Sequence, residues 1–222
     1  MRIIAKRTLR AFRKRHPRAK GPLEAWHQEV DRADWTTPSE VKTQFRSASV
    51  LQNNRVAFNI SGNHYRLVVK INYPYRIVYI RFVGTHADYD TVDVTTIRNS
   101  GGAMNIAPIK TTRDYDRTLR RIEQLMDAKP GTKNGDELDV LTTLVEAYEA
   151  KHYVIYPPNP VEAIKFRMDQ LGMTRKDLEA MLGGRGRVSE ILTKKRGLSL
   201  EMIRRLHREL HIPLESLVGT AA

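Results

Sequence analysis

The sequence contains no cysteine, which excludes disulfide frameworks, thiolate metal sites and cysteine nucleophiles. It also lacks any apolar run near the ~18–20 residues that span a bilayer. No apolar stretch of a secretory signal follows the basic N-terminus, although its richness in arginine leaves a mitochondrial presequence as a weaker alternative. With neither an export signal nor a membrane segment, we expect a cytoplasmic protein.

Aromatic residues are few, at 7%, but hydrophobic residues make up 41% of the 222 residues. This is enough to bury a core, so wholesale disorder is excluded. Positive charge is plentiful, with 38 Lys+Arg against 25 Asp+Glu and a formal net charge of +13. An excess of this size favours a polyanionic partner such as nucleic acid.

The charge is unevenly distributed along the chain. Residues 1–102 have a net charge of +10, residues 103–160 of −1 and residues 161–222 of +4. A small, polar, glycine-bearing stretch at 98–104 has the composition of a flexible linker. A proline-rich spacer at 156–160 cannot be crossed by a helix or a central strand. We therefore predict four segments: 1–98, a linker at 99–103, a helical segment at 104–156 and a last domain at 157–222.

Met104 stands where the initiator of a second polypeptide would stand. The two halves are therefore either naturally fused or artificially joined, and the generic linker composition favours joining.

The first segment predicts an α+β fold, with short helices on a small antiparallel sheet. Helical spacing covers 6–15, Pro22 is suited to open a second helix, and Thr37 starts a short third one. From Arg55 the apolar period becomes two, which predicts strands over 55–60, 65–70 and 76–83. Ser61-Gly62-Asn63 is the turn signal between the first two strands.

Strand alternation places a set of polar and basic side chains on one face of this sheet. The set comprises Asn59, Arg66, Lys70, Tyr79 and Arg81. After the third strand comes His86, with Tyr89 and Asp90 close behind it.

Cleavage of RNA by its own 2′-hydroxyl needs a base, an acid and cations around the phosphate. His86 can be base or acid, Tyr89 or Asp90 can assist, and the basic strand residues can hold the phosphate. No metal or cofactor is required. From spacing alone, a structural His86 and a solvated basic face are the favoured interpretations, and Tyr79 is as well suited to packing as to stacking.

Two long runs resemble the HigB toxins of the RelE superfamily. They are Phe58-Asn59-Ile60-Ser61-Gly62-Asn63-His64-Tyr65-Arg66-Leu67-Val68-Val69-Lys70 and Tyr79-Ile80-Arg81-Phe82-Val83-Gly84-Thr85-His86-Ala87-Asp88-Tyr89-Asp90. The opening residues 1–9 are also similar, so the resemblance covers residues 1–97. It implies an mRNA interferase that cuts translated messages in the ribosomal A site without a metal.

RelE-like toxins vary in their catalytic residues, so the individual assignments are hypotheses. The expected catalytic residues are His86, Arg81, Arg66, Lys70 and Tyr89. The expected contacts to RNA or the ribosome are Arg7, Arg10, Arg13, Lys14, Asn59 and Tyr79.

The middle segment predicts two helices, over 112–126 and 136–151, joined by a turn at 130–135. Each has an apolar stripe at helical spacing. The stripes are Tyr115, Leu119, Ile122 and Leu125/Met126, then Leu138, Leu141, Leu144/Val145 and Tyr148. The second helix bears the acids Asp136, Glu137, Asp139, Glu146 and Glu149. These acids form either a solvated face or a surface that meets the basic first segment by charge complementarity.

The last segment predicts five short helices over 161–217. Thr174 is suited to cap the second of them, Gly183-Gly184 makes a turn, and residues around 188–192 form a third helix with one apolar face. The run Met173-Thr174-Arg175-Lys176-Asp177-Leu178 and the run Val188-Ser189-Glu190-Ile191-Leu192-Thr193-Lys194-Lys195-Arg196 resemble the Xre/Cro-type helix-turn-helix.

In that family the second helix of the motif enters the major groove, and dimers contact two half-sites. The unusually short, glycine-rich turn leaves the register of this helix open by about one position. The resemblance implies base-edge contacts from Arg185, Arg187, Ser189 and Glu190. It implies phosphate contacts from Arg175, Lys194, Lys195 and Arg196. A small protein-interaction domain is the alternative.

Residues 104–218 as a whole resemble HigA antitoxins, through the run 138–149 followed by Lys151-His152-Tyr153. The sequence therefore predicts a type II toxin–antitoxin module of the bacterial cytoplasm. Its expected partners are mRNA on the ribosome, operator DNA and the toxin–antitoxin contact itself, with dimerisation through the antitoxin part and no membrane. The alternatives are a non-enzymatic regulator whose N-terminal sheet binds RNA or an effector, and a scaffold with neither activity.

Overall fold

A computed structural model describes residues 1–91 and 107–218 of the chain. The predicted linker at 99–103, Met104 and the side chain of Asp90 lie outside the described part. Within the described ranges, no helix combines the length and the apolar character needed to cross a membrane.

The N-terminal half alternates short helices and strands before it ends in a hairpin-rich sheet. The elements are β1 Arg2–Ile4, α1 Lys6–Arg15, a 3-10 turn Pro17–Ala19, α2 Lys20–Arg32, α3 Pro38–Gln44, β2 Ser49–Leu51, β3 Arg55–Ile60, β4 Tyr65–Asn72, β5 Ile77–Thr85 and α4 His86–Thr91. The three predicted strands and the three predicted helices are confirmed, but α2 begins at Lys20, two residues before Pro22.

The five strands form one sheet in the order β1-β5-β4-β3-β2. Its central pairings are antiparallel, with Asn59 opposite Arg66 and Lys70 opposite Tyr79. The predicted antiparallel sheet is confirmed for β3, β4 and β5, and the whole sheet is mixed because β1 pairs with β5 in parallel. The two edge strands have only three residues each, which is too short to produce a visible alternation in the sequence.

A β-bulge in β5 shapes the functional face of the sheet. Val68 pairs with Phe82 and Val69 pairs with Ile80, so Arg81 is the extra residue of β5. A bulge shifts the alternation by one residue. Tyr79, before the bulge, and Phe82, after it, therefore lie on the same face as Lys70 and Arg66.

The opposite face of the sheet packs on α2 and α3. Phe58 lies at its centre, with ring centroids 5.6 Å from Trp26 and 5.1 Å from Phe45. Edge-to-face aromatic pairs of this kind add to the stabilisation that comes from buried area. Trp35 also joins this cluster, so both tryptophans of the chain help to fix the sheet on its helices.

The next two helices, α5 Thr112–Leu125 and α6 Lys133–His152, form the predicted hairpin. Helix α6 begins within the predicted turn, because Thr132 accepts a hydrogen bond from the backbone N–H of Gly135 and caps the helix there. The buried stripes of both helices join the core of the sheet to form one continuous cluster. The hairpin therefore packs on the sheet as part of the same hydrophobic core.

Residues 160–218 contain five helices, as predicted, around a separate core. They are α7 Pro160–Leu171, α8 Glu179–Leu182, α9 Arg185–Leu192, α10 Leu200–Leu210 and α11 Leu214–Val218. The expected helix start at Thr174 is wrong. The Thr174 side chain hydrogen-bonds Asp177 at 2.7 Å, which stabilises a turn over the intervening residues, and α8 begins only at Glu179.

Candidate nucleic-acid interfaces

The end of β5 positions a histidine beside an arginine. Helix α4 begins at His86, and a reciprocal pair of hydrogen bonds between Thr85 and Asp88 fixes its first turn. Gly84 has no side chain here, and a Cβ would lie 2.3 Å from the Phe82 ring. A glycine is therefore required for β5 to deliver His86 at this point.

The His86 Nε2 atom lies 3.1 Å from Nη2 of Arg66. The other terminal nitrogen of Arg66 donates to the side-chain oxygens of Asn59 and Asn63. A guanidinium has donors and no acceptor, so Nε2 accepts in this contact and is unprotonated. The arrangement combines a neutral imidazole nitrogen, which can take a proton, with a fixed positive charge beside it.

The other two predicted phosphate ligands lie under α5. Arg81 forms an ion pair of 2.5 Å with Glu123, and both side chains are largely buried, with exposed fractions of 8% and 13%. Lys70 pairs with Asp127 at 2.6 Å. Tyr79 is also buried beside them, and burial raises the pKa of its hydroxyl.

The structure therefore divides the predicted catalytic set in two. Arg66 and His86 remain partly exposed and contact each other, whereas Lys70 and Arg81 are held by carboxylates of the hairpin. Tyr89 is half-buried on α4, with its ring centroid 6.5 Å from that of Phe82.

Three of the four basic residues predicted on α1 also contact the hairpin or the segment after it. Arg7 pairs with Asp116 and stacks over the Tyr115 ring at 5.2 Å. Arg10 donates to the backbone carbonyl of His152. Arg13 pairs with Glu24 within its own half and lies 3.4 Å from a backbone carbonyl of the segment after α6, while Lys14 is exposed.

The acids of α6 fit the charge-complementary interpretation only in part. Asp139 and Glu146 both pair with Arg2, and Glu149 accepts from the backbone N–H of Lys6 at 2.9 Å. Glu137 instead pairs with Arg121 inside the hairpin, so this member of the predicted surface does not meet the first half.

Glu149 is a fully buried carboxyl group at the contact between the two halves. It also accepts from the hydroxyl of Tyr115. Burial raises the pKa of Glu149 to about 7, against the lowering effect of Tyr115 and Lys6. Burial between the two halves therefore favours the protonated form of this side chain, and its two hydrogen bonds favour the ionised form.

Three carboxylates of the hairpin were not predicted from the sequence. Asp116 and Glu123 on α5 and Asp127 in the turn after it meet Arg7, Arg81 and Lys70 respectively. The seven-residue spacing of Asp116 and Glu123 puts these two on one side of the helix, and this is the signal that could have revealed them.

The predicted DNA-contacting residues lie on and around α9. Arg185, Arg187 and Ser189 are exposed along the helix, as is Arg175 in the turn before α8. Glu190 pairs with Arg196 at 2.6 Å, and Lys194 lies 3.6 Å from Glu162. Lys195 is exposed beside them.

Side chains of helix α7 hold the group of the last five helices against the first half of the chain. The sequence did not predict this contact. Arg167 is buried and contacts Glu29 at 3.1 Å and the carbonyl of Gln44 at 2.8 Å. Asp169 accepts from the backbone N–H of Gly62 at 2.7 Å. Burial raises the pKa of Glu29 to about 7 although Arg167 lowers it.

Comparison with known proteins finds a matching family model at each end of the chain. Residues 19–92 match the family described as HigB_toxin, the RelE-like toxic component of a toxin–antitoxin system, and residues 164–217 match a helix-turn-helix family. The mRNA interferase HigB of Escherichia coli O6:H1 is 24% identical over 92 residues, which are 40% of this chain and 89% of that protein. The mRNA interferase toxin HigB of Escherichia coli K12 is 27% identical over 92 residues, 40% of this chain and 88% of that protein.

Proposed function

We propose that this chain, in which a RelE-like HigB toxin domain is joined to a helix-turn-helix domain, is a type II toxin–antitoxin module whose parts act on different nucleic acids. Residues 1–98 are then a ribosome-dependent, metal-independent mRNA endonuclease of the bacterial cytoplasm. Residues 104–156 neutralise it, and residues 157–222 bind operator DNA as a dimer and repress transcription. The observation that carries the proposal is the pairing of Arg81 and Lys70 with Glu123 and Asp127.

In the proposed reaction, His86 Nε2 takes the proton of the RNA 2′-hydroxyl, whose oxygen then attacks the adjacent phosphorus. The bond from phosphorus to the 5′-oxygen breaks, and in this proposal the hydroxyl of Tyr89 gives that oxygen its proton. Arg66, held by two asparagine side chains, stabilises the charge on the phosphate. Lys70 and Arg81 supply further positive charge once they are released from Asp127 and Glu123.

Neutralisation follows from the same contacts. Glu123 and Asp127 satisfy the cations that would otherwise bind RNA phosphates, and their negative charges repel a phosphate that approaches the same place. Helix α5 also covers Tyr79 and the β5 bulge. In the joined chain the nuclease is therefore inhibited while α5 stays docked.

Toxicity in growing bacteria tests the proposal. We expect expression of residues 1–98 alone to arrest growth and to cut translated mRNA, and expression of the full chain to permit growth. Normal growth with intact mRNA in cells that make residues 1–98, once the protein is detected in them, would contradict the nuclease assignment. That outcome would favour a regulator whose N-terminal half does no catalysis.

A further inference from the structure

Two grooves meet where the first half of the chain contacts the last five helices. One has a volume of about 700 Å³ and is lined on its first-half side by Arg18, Lys20 and Gly21. The other has a volume of about 400 Å³ and is lined by the loop after α9, residues 194–198. Asn159, the N-cap of α7, lines both, so they form one continuous surface, which we call the junction groove.

The packing of α2 on α7 brings the two basic walls of the junction groove together. Gly21 lies so close to α7 that a Cβ there would be 2.9 Å from the Cβ of Glu162. The carboxylate of Glu162 lies 3.6 Å from the Lys194 ammonium and 3.8 Å from that of Lys165. One side chain thus links the start of α2 to the loop after α9.

The charge of the junction groove is strongly positive. Its exposed cations are Arg18, Lys20, Lys194, Lys195 and Arg196. The acids that face it already have partners: Glu24 pairs with Arg13, Glu162 with Lys165 and Lys194, and Glu190 with Arg196. In the part of the chain that the structure describes, no ion pair involves Arg18, Lys20 or Lys195.

We propose that the junction groove binds the sugar–phosphate backbone of operator DNA beside the bases contacted by α9, so that the toxin half contributes directly to DNA affinity. The inference rests on the proposed operator binding and extends it to Arg18 and Lys20. The loop that carries Lys194–Arg196 follows α9 immediately, and the lining of neither groove includes Arg66 or His86. The surface therefore continues the DNA-binding side of the molecule.

Salt dependence of binding by the full chain tests this proposal. The probe is a DNA duplex that the full chain selects from a random-sequence pool, and the measured quantity is the slope of log affinity against log salt concentration. Each lost phosphate contact reduces this slope by about 0.9. The double variant Arg18→Ala with Lys20→Ala removes two contacts from each chain of the proposed dimer. It is therefore expected to reduce the slope by roughly 3.6 and to weaken binding on the order of 100-fold at 0.1 M salt. Lys20→Gln alone is expected to give about half of the change in slope.

The matched control is Arg113→Ala with Arg120→Ala, which removes two exposed arginines of α5 and is expected to leave the slope unchanged. An unaltered slope for the Arg18 and Lys20 variants, or a loss of affinity for RNA or ribosomes and not for DNA, would overturn the proposal.

The variant Arg187→Ala distinguishes a failure of the junction-groove proposal from a failure of operator binding by α9. If Arg187→Ala weakens DNA binding while the Arg18 and Lys20 variants do not, only the proposal for the junction groove is wrong. If Arg187→Ala also leaves DNA binding unchanged, the proposed operator binding by α9 is wrong as well.

Discussion

At the scale of single residues, the chemistry depends on which cations are available to RNA. The sequence predicted His86, Arg66, Lys70 and Arg81 as one group, because strand alternation puts residue types on a shared face. It could not predict that Arg66 contacts His86 while Arg81 contacts Glu123, because the carboxylate lies 42 positions further along the chain, on a separate helix.

The role of His86 is tested in residues 1–98 expressed alone. His86→Gln removes the proposed base, and general-base catalysis contributes about 10²–10⁴-fold to such reactions. We expect the variant to lose toxicity while it still binds the hairpin, since the ion pairs of Arg7, Lys70 and Arg81 with the hairpin are unchanged. His64→Gln replaces an exposed histidine of the β3–β4 turn and is expected to remain toxic. Equal killing by both variants would place the chemistry elsewhere.

Glu149 predicts a pH dependence of stability. Burial raises its pKa from 4.5 to about 7 in the folded chain, so the folded state retains a proton that the unfolded state releases. The free energy of unfolding therefore falls as pH rises from about 4.5 to about 7. Glu149→Gln keeps a hydrogen-bonding oxygen without the charge, and we expect it to flatten this fall, although Glu29 contributes in the same direction.

Urea unfolding between pH 5 and pH 8 measures this effect. The matched control is Glu209→Gln, at an exposed glutamate of α10, which is expected to keep the slope of the unmodified chain. A Glu149→Gln variant with that same slope would show that Glu149 is ionised in the folded chain.

At the scale of elements, the spacing of apolar residues and the helix-capping residues predicted most helices and strands. Strands β3 to β5 were predicted because six to nine residues alternate clearly. Strands β1 and β2 were missed because they owe their conformation to neighbours in the sheet, and the β5 bulge likewise depends on pairing with β4. The docking of α5 on the sheet was not predicted, since an apolar stripe shows that a helix packs but not where.

Helix α5 is the proposed inhibitory element, and Glu123 on it and Asp127 in the turn after it test that role in the full chain. Glu123→Gln with Asp127→Asn leaves Arg81 buried without a counter-charge, which costs on the order of 3 kcal/mol. This corresponds to about a 10²-fold shift towards the undocked state. We expect slowed growth of cells that express the variant.

Glu209→Gln in the full chain is again the matched control and should permit normal growth. Growth of the Glu123 and Asp127 variant at the rate of the unmodified chain, at equal protein levels, would mean that these carboxylates do not hold the nuclease inactive.

At the scale of the whole molecule, the net charge of +13 is concentrated at the two ends: residues 1–102 carry +10 and residues 161–222 carry +4. We propose RNA as the target of the first and DNA as the target of the second. The last five helices also leave apolar side chains in solvent: Leu200, Leu214 and Val218 are 62%, 43% and 69% exposed. Contiguous exposed apolar surface marks protein contacts, and we propose that these three side chains lie in the dimer contact.

The dimer is tested by the mass of the assembly in solution. We expect the full chain to have twice the 25.5 kDa of one chain, and Leu214→Lys with Val218→Lys to return it to one. Val140→Lys, at a residue of α6 that is 43% exposed, should leave the dimer intact. A dimer that survives the first variant would place the contact elsewhere.

The central claim is that residues 1–98 cut translated messages and that the rest of the same chain prevents it. Mapping of mRNA 5′ ends in cells that express residues 1–98, their His86→Gln variant or the full chain tests it most directly. We predict new 5′ ends inside coding regions with residues 1–98 alone, and their disappearance from a reporter message that lacks its start codon. The same pattern of ends in all three cultures would contradict the claim.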